Sequence, residues 1–182
     1  MLVKSKTLGL VLFITVLAAM SLSQDVHSVQ RSEVCKDVPE FTREQAATLE
    51  DAYEIGRPYN LQYVMMAIAV KESTAGKFRM NIKSDDYGVF GIKLKYAMIR
   101  GGKKGEFSRN MLAQSLVLDN EVAGYHAIET IKELKNYHRW DIRKLLEHYK
   151  DGKKVTNKGR QYAKDALQLI NQFKTCGVVV KV

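Results

Sequence analysis

Eight consecutive residues, YVMMAIAV (63–70), carry neither a charge nor a small polar side chain. Asn60 before them can cap a helix, and the helix ends by Gly76. A helix that is apolar on all sides has to be buried, so we expect it to be a central helix. Directly after it come Lys71 and Glu72. A glutamate at the end of such a helix is a cap, a boundary residue, or an acid whose proton is used.

The rest of the sequence predicts a mainly helical domain with a short β segment. Thr42 and Gln45 form a capping box for FTREQAATLEDAYEI, and Gly56 with Pro58 ends that helix. Between Gly76 and Ala97 the sequence pattern is no longer helical and predicts loops and short strands.

Three further helices are predicted towards the C-terminus. They are a long one from Ser108 as its cap to about Tyr137, IRKLLEHYK capped by Asp141, and a last one from Asn157 or Lys158 to about Phe173. The final GVVVKV is either a strand or a tail.

The N-terminal segment has the pattern of a secretory signal peptide. Lys4 and Lys6 precede the apolar run LGLVLFITVLAAM, and the small residues Ser21 and Ser23 follow it. The run is short for a stable membrane span, although a retained anchor is the alternative. We therefore expect residues 1–23 to be removed, residues 24–182 to form one domain, and the protein to be exported to the periplasm or beyond. Contact with a membrane is expected only through this segment before cleavage.

The mature chain is strongly basic. The formal charge of the full sequence is +9, and loss of residues 1–23 removes two lysines and no acid, which leaves +7. A basic exported protein meets anionic polymers such as cell-wall material, although the charge alone is equally consistent with solubility. The basic clusters are not interleaved with aromatic residues, so no nucleic-acid partner is expected.

The only two cysteines, Cys35 and Cys176, stand near the two ends of the mature chain. Export permits a disulfide between them, and two buried thiols are the alternative. Neither cysteine has a CxxC spacing, and the four histidines show no paired spacing typical of zinc ligands. We expect no metal and no cofactor.

Glu72 has the sequence context of a general acid. The end of a helix is the negative end of its dipole, and apolar neighbours remove water from the carboxyl. Both effects disfavour the charged form, as proton donation near neutral pH requires. An exposed glutamate in a fraying last turn is the simpler interpretation of this residue taken alone.

The order of motifs over residues 60–170 resembles the catalytic domain of soluble lytic transglycosylases. The Glu-Ser pair at the end of the central helix matches Glu72 and Ser73, and GVFGIKL matches the family's G-x-x-G-L-M-Q segment, with Leu94 in place of glutamine. HYKDG matches A-Y-N-x-G through Tyr149 and Gly152, with Lys150 in place of asparagine.

This resemblance implies a lysozyme-like fold and a set of functional residues. Glu72 would be the sole acid and base, Ser84 would line the sugar site, and Tyr149 would hydrogen-bond Glu72. The product would be a 1,6-anhydro sugar, formed from the glycan strand of peptidoglycan. Asp86, Tyr87 and Gly88 belong to SDDYGVFGI, which is locally similar to S-T-D-Y-G-I-x-Q-I of c-type lysozyme, with Gly91 in place of its glutamine.

Two other functions remain open on the sequence. A true lysozyme would use Asp86, fourteen residues after Glu72, as the second carboxylate of a hydrolase. A wall-binding relative would keep the fold without the activity, and the replaced asparagine and glutamine favour it. The simplest interpretation of Asp85 and Asp86 is that they are turn residues.

Overall fold

The structure is a computed structural model that describes residues 35, 38–138 and 141–181. The predicted signal peptide, residues 1–23, lies outside them. The chain divides into a unit ending at Val38 and a second unit, Pro39–Val182. In the first unit the Val38 amide donates to the Cys35 carbonyl at 3.3 Å.

The second unit is mainly helical, as the sequence predicts. Its elements in chain order are β1 (Glu40–Phe41), α1 (Arg43–Gly56), a 3₁₀ turn (Arg57–Tyr59), α2 (Gln62–Ser73), β2 (Met80–Asn81), β3 (Asp86–Tyr87), β4 (Ile92–Lys93), α3 (Leu94–Arg100), α4 (Glu106–Leu118), α5 (Asn120–His138), α6 (Ile142–Asp151), α7 (Asn157–Cys176) and β5 (Val179–Val180). No helix in the described part of the chain is both long enough and apolar enough to cross a membrane.

Helix α2 is the central helix that its sequence predicts. Its side chains from Met65 to Ala69 are at most 4% exposed, and α1 and α7 pack against it. Full burial of a side chain such as Ile68 contributes about 1.5–3 kcal/mol to folding. The helix therefore holds its last turn, which contains Glu72, in a fixed place.

Two small sheets accompany the helices. Strands β2, β3 and β4 form an antiparallel sheet in that order, in which Asp86 pairs with Asn81 and Lys93. This confirms the short strands predicted after the central helix. Val179–Val180 of the final GVVVKV forms a strand, because β5 pairs in parallel with β1, with Glu40 opposite Val179.

Cys35 and Cys176 form a disulfide, which confirms the predicted bridge. Cys176 is the last residue of α7. The bridge closes a loop of roughly 140 residues, the kind of long loop whose closure restricts the unfolded chain most.

Two predicted helix caps are confirmed and two are wrong. The Thr42–Gln45 capping box is present, and Asp141 accepts the Lys144 amide. Asn60 does not cap α2, because it closes the preceding 3₁₀ turn in the left-handed conformation (φ 57°), which asparagine tolerates well. The N-cap of α2 is Leu61, without a side-chain bond.

The long helix predicted from Ser108 is in fact two helices. The first begins at Glu106 after Gly105, so Ser108 lies inside it. Asp119 is extended, and its carboxylate accepts the amides of Glu121 and Val122 at 2.8 and 3.1 Å. The carboxylate thus satisfies the first amides of α5, and the chain turns there.

Candidate functional site

Glu72 lies in the last turn of α2 with only 11% of its side chain exposed. The next residue, Ser73, is 1% exposed and donates to the Ala69 carbonyl at 2.9 Å. Its hydroxyl also accepts the Gly76 amide at 2.8 Å. Ser73 therefore supports the end of the helix through backbone contacts, and Glu72 is a nearly buried acid rather than an exposed one in a fraying turn.

The GVFG segment covers one side of Glu72. A Cβ placed on Gly91 would lie 2.8 Å from Oε2 and 3.0 Å from Cβ of Glu72, and Gly91 has φ +61°. Glycine is thus required here both by the backbone conformation and by the close approach. Gly91 is the last residue of the GVFG segment, and its contact with Glu72 brings that segment against the carboxyl.

We expect Gly91→Ala to impair any activity that depends on Glu72, by about tenfold or more, because its Cβ would push the carboxyl away from its present position. The variant should be folded but less stable by about 1–2 kcal/mol, owing to the positive φ. Activity and thermal midpoint are the measurements.

Gly102→Ala is the matched control, since Gly102 has φ +60° and nothing within 4 Å of the added Cβ. If the two alanine variants lose activity equally, then the contact with Glu72 is not what matters at Gly91.

Lys150 forms an ion pair with Glu72. Its Nζ lies 3.2 Å from Oε2 and 3.4 Å from Oε1, and 41% of the lysine side chain is exposed. The sequence places Lys150 at the family's asparagine but does not show this contact, because the two residues are 78 positions apart. A cation at this distance attracts the charged carboxylate.

Tyr149 does not hydrogen-bond Glu72, and that expectation from the family resemblance is wrong. Its hydroxyl donates instead to the Phe90 carbonyl at 2.8 Å. Burial, and after it the charges of Glu72 and Asp86, raise the pKa of Tyr149 well above its ordinary value. Tyr149 thus holds the GVFG segment in place next to Glu72.

Tyr162, on α7, is the tyrosine beside Glu72, and sequence reasoning misses it. Burial, then the charge of Glu72, raises the pKa of Tyr162 well above its ordinary value. Its hydroxyl is buried and has no hydrogen-bond partner of regular geometry within the described residues. A buried hydroxyl near a carboxylate is normally a hydrogen-bond donor, and Glu72 is the carboxylate near Tyr162.

Asp86 is bound by two neighbours in the small sheet. Ser84 Oγ donates to it at 2.6 Å and Lys93 Nζ at 2.8 Å, and 25% of its side chain is exposed. Ser84 itself is exposed. Asp85 points elsewhere and pairs with Arg109 at 2.6 Å. The structure therefore separates the two adjacent aspartates and leaves Asp86 as the one whose charge reaches Tyr149.

Tyr87 and Gly88 have structural roles in the same segment. Tyr87 is half-buried and pairs with Met80 and Ile92 in the sheet. A Cβ on Gly88 would lie 2.4 Å from the carbonyl oxygen of Leu116, and Gly88 has φ +79°. The glycine therefore lets this loop pack against α4.

Four side chains thus interact with the nearly buried Glu72 directly or through Tyr149. They are Asp86, Tyr149, Lys150 and Tyr162, and together with Glu72 they are called the Glu72 cluster hereafter. Ser73, Tyr87 and Gly88 have structural roles beside the cluster: Ser73 bonds to the backbone at the end of α2, and Tyr87 and Gly88 hold the neighbouring sheet and loop. Within the described ranges, no group of three or more His, Cys, Asp or Glu side chains could hold a metal ion. No family model matches this chain, and no curated protein or solved structure matches it either.

A surface cavity of about 370 Å³ lies elsewhere, between α1, the 3₁₀ turn and α5. Tyr59 and Tyr125 line it, and none of its lining residues belongs to the Glu72 cluster. This cavity is therefore separate from the Glu72 cluster.

Proposed function

We propose that this protein is a lytic transglycosylase with a lysozyme-like fold, which cleaves the MurNAc–GlcNAc β-1,4 bond of peptidoglycan. The observation that carries the proposal is Glu72: an acid 11% exposed, at the end of an apolar helix, in contact with the backbone of the GVFG segment. In the family that the sequence resembles, a glutamate at the end of the central helix is likewise followed by a G-x-x-G segment. Tyr149 adds support, because it ties the helix that bears it to the same segment.

One carboxyl group performs both proton transfers in the proposed reaction. Protonated Glu72 gives its proton to the glycosidic oxygen, and the bond from this oxygen to C1 of the muramyl sugar breaks. The Glu72 carboxylate then accepts the proton of the muramyl 6-hydroxyl, whose oxygen bonds to C1. The product is a 1,6-anhydro sugar, and Glu72 ends the cycle protonated.

Export to the periplasm or the outside of the cell is part of the proposal. The disulfide supports it, since such bonds persist in oxidising compartments. The basic charge of the chain suits an anionic wall polymer.

Two observations favour alternative functions. The charges of Asp86 and Glu72 both act on the hydroxyl of Tyr149, which favours a lysozyme that uses Asp86 as the second carboxylate. The Lys150–Glu72 ion pair favours a wall-binding protein without activity, because a general acid must carry a proton.

Mass spectrometry of peptidoglycan digested by the full chain tests these functions together. We expect 1,6-anhydro products, and we expect Asp86→Asn to keep activity within about tenfold of wild type, since Asp86 transfers no proton in the proposed reaction. A lysozyme would give reducing ends and lose several orders of magnitude with the same change.

The matched control is Asp85→Asn, which removes the neighbouring carboxylate and leaves Asp86 in place. Asparagine is well suited to the left-handed conformation of residue 85 (φ 57°). Absence of any released fragment with wild type would contradict both enzymatic functions and leave wall binding.

A further inference from the structure

The ion pair between Lys150 and Glu72 is unequally exposed. The carboxylate side chain is 11% exposed and the lysine side chain 41%. The ammonium group therefore reaches the carboxylate from the solvent side. Lys150 is thus a position where the charge beside Glu72 can be changed at an exposed side chain.

The other charged groups near Glu72 on the helices have partners of their own. Lys71, next to Glu72 on α2, pairs with Asp165 of α7 at 2.7 Å. Tyr162 of α7 and Tyr149 of α6 are both neutral at ordinary pH, because the pKa of each is well above its usual value. Lys150 is therefore the helix-borne cation that contacts the Glu72 carboxylate directly.

The charges on the small sheet are also paired. Asp86 of β3 accepts from Lys93 of β4 at 2.8 Å. Asp86 adds a negative charge to the cluster, and Lys93 offsets it. Among the described residues, no cation on β3 or β4 forms a hydrogen bond with Glu72, and Lys93 bonds to Asp86 instead.

The ion pair thus places the Lys150 ammonium 3.2 Å from Oε2 of the acid that the proposed reaction uses. We propose that Lys150 is a positioning residue whose charge sets the upper pH limit of glycan cleavage. The effect on cleavage rests on the proposed function, whereas the charge coupling does not.

Lys150→Met is the variant that isolates the charge. Lys150 Nζ lies 5.3 Å from the centre of the Tyr162 ring, and methionine is an unbranched apolar side chain that can pack in the same region. Lys150→Arg keeps a cation at the site. Lys153→Met is the matched control, since Lys153 is exposed just beyond the end of α6.

The first measurement is the pH profile of peptidoglycan cleavage. A general acid loses its proton as pH rises, and activity then falls. In Lys150→Met, which lacks the cation, we expect activity to fall at a pH about one to two units higher than in wild type. Above the wild-type limit the variant should be roughly tenfold more active for each pH unit by which the limit has moved. Lys150→Arg and Lys153→Met should keep the wild-type limit.

The second measurement does not depend on activity. The carboxyl-carbon NMR signal of Glu72, assigned by its loss in Glu72→Gln, is followed against pH in wild type and in Lys150→Met. We expect the midpoint of the change in Lys150→Met to be about one to two pH units higher than in wild type. Lys153→Met should give the wild-type midpoint.

The two measurements separate the two ideas. A moved NMR midpoint with no cleavage by any variant supports the charge coupling and contradicts the proposed function. An active Lys150→Met with an unmoved pH limit overturns the inference, and so does an equal loss of activity at every pH, which would indicate a contact of Lys150 with substrate instead. An unmoved NMR midpoint overturns it in either case.

Discussion

Glu72→Gln is expected to reduce peptidoglycan cleavage by at least about a thousandfold while the domain stays folded. Glutamine has the same size as glutamate but delivers no proton, and general acid–base catalysis contributes about 10²–10⁴-fold per group. In the proposed reaction Glu72 acts in both steps. Release of soluble fragments from purified peptidoglycan measures the loss.

Folding of the Glu72→Gln protein is checked by circular dichroism and by its thermal midpoint. The ion pair with Lys150 is lost, but the 41% exposed lysine can be hydrated, so only a small change in stability is expected. Glu50→Gln, an exposed glutamate on α1, is the matched control. A folded Glu72→Gln protein that retains even a tenth of wild-type activity would exclude Glu72 as the acid.

Loss of the disulfide is expected to have the largest effect on stability. Replacing Cys35 and Cys176 by serine frees a loop of roughly 140 residues in the unfolded chain. Entropy models give about 4–5 kcal/mol for such a loop, and measured effects are commonly about 2–4 kcal/mol. For a domain of this size we expect a thermal midpoint lower by about 5–15 °C.

Reductant provides the internal control for the disulfide. It should lower the midpoint of wild type to that of the double-serine variant and leave the variant unchanged. If the reduced wild-type protein melts at the same temperature as the oxidised one, the bridge does not stabilise the domain.

Local sequence signals predicted those parts of the fold that depend on neighbouring residues. The Thr42–Gln45 capping box and the Asp141 cap each involve side chains within three residues of their partners, and both are present. Asn60 and Ser108 carry the same kind of signal but do not act as caps. At Asn60 the preceding 3₁₀ turn uses the asparagine in a left-handed conformation, and such competition is not visible in residue preferences alone.

The sequence predicted three members of the Glu72 cluster, namely Glu72, Asp86 and Tyr149, but neither Tyr162 nor the contact of Lys150 with Glu72. Glu72 lies at the end of an apolar helix, yet its position alone favours an exposed residue, and the packing of the whole domain decides its burial. Lys150 and Tyr162 lie far from it in sequence. Tyr162 is on α7, which packs against α2, and Lys150 is on α6, which packs against α7. Likewise, no local pattern distinguishes a Tyr149 hydroxyl bound to the Phe90 carbonyl from one bound to Glu72.

The pairing of β1 with β5 has a consequence for synthesis on the ribosome. Glu40–Phe41 emerges well before Val179–Val180, yet the two are adjacent parallel strands, and the Lys181 amide donates to the Phe41 carbonyl at 2.8 Å. At about 5–20 residues per second, the first strand waits on the order of ten seconds for its partner. During translation β1 therefore stays without this partner until Val179–Val180 has been made, and the pairing of β1 with β5 is a late step of folding.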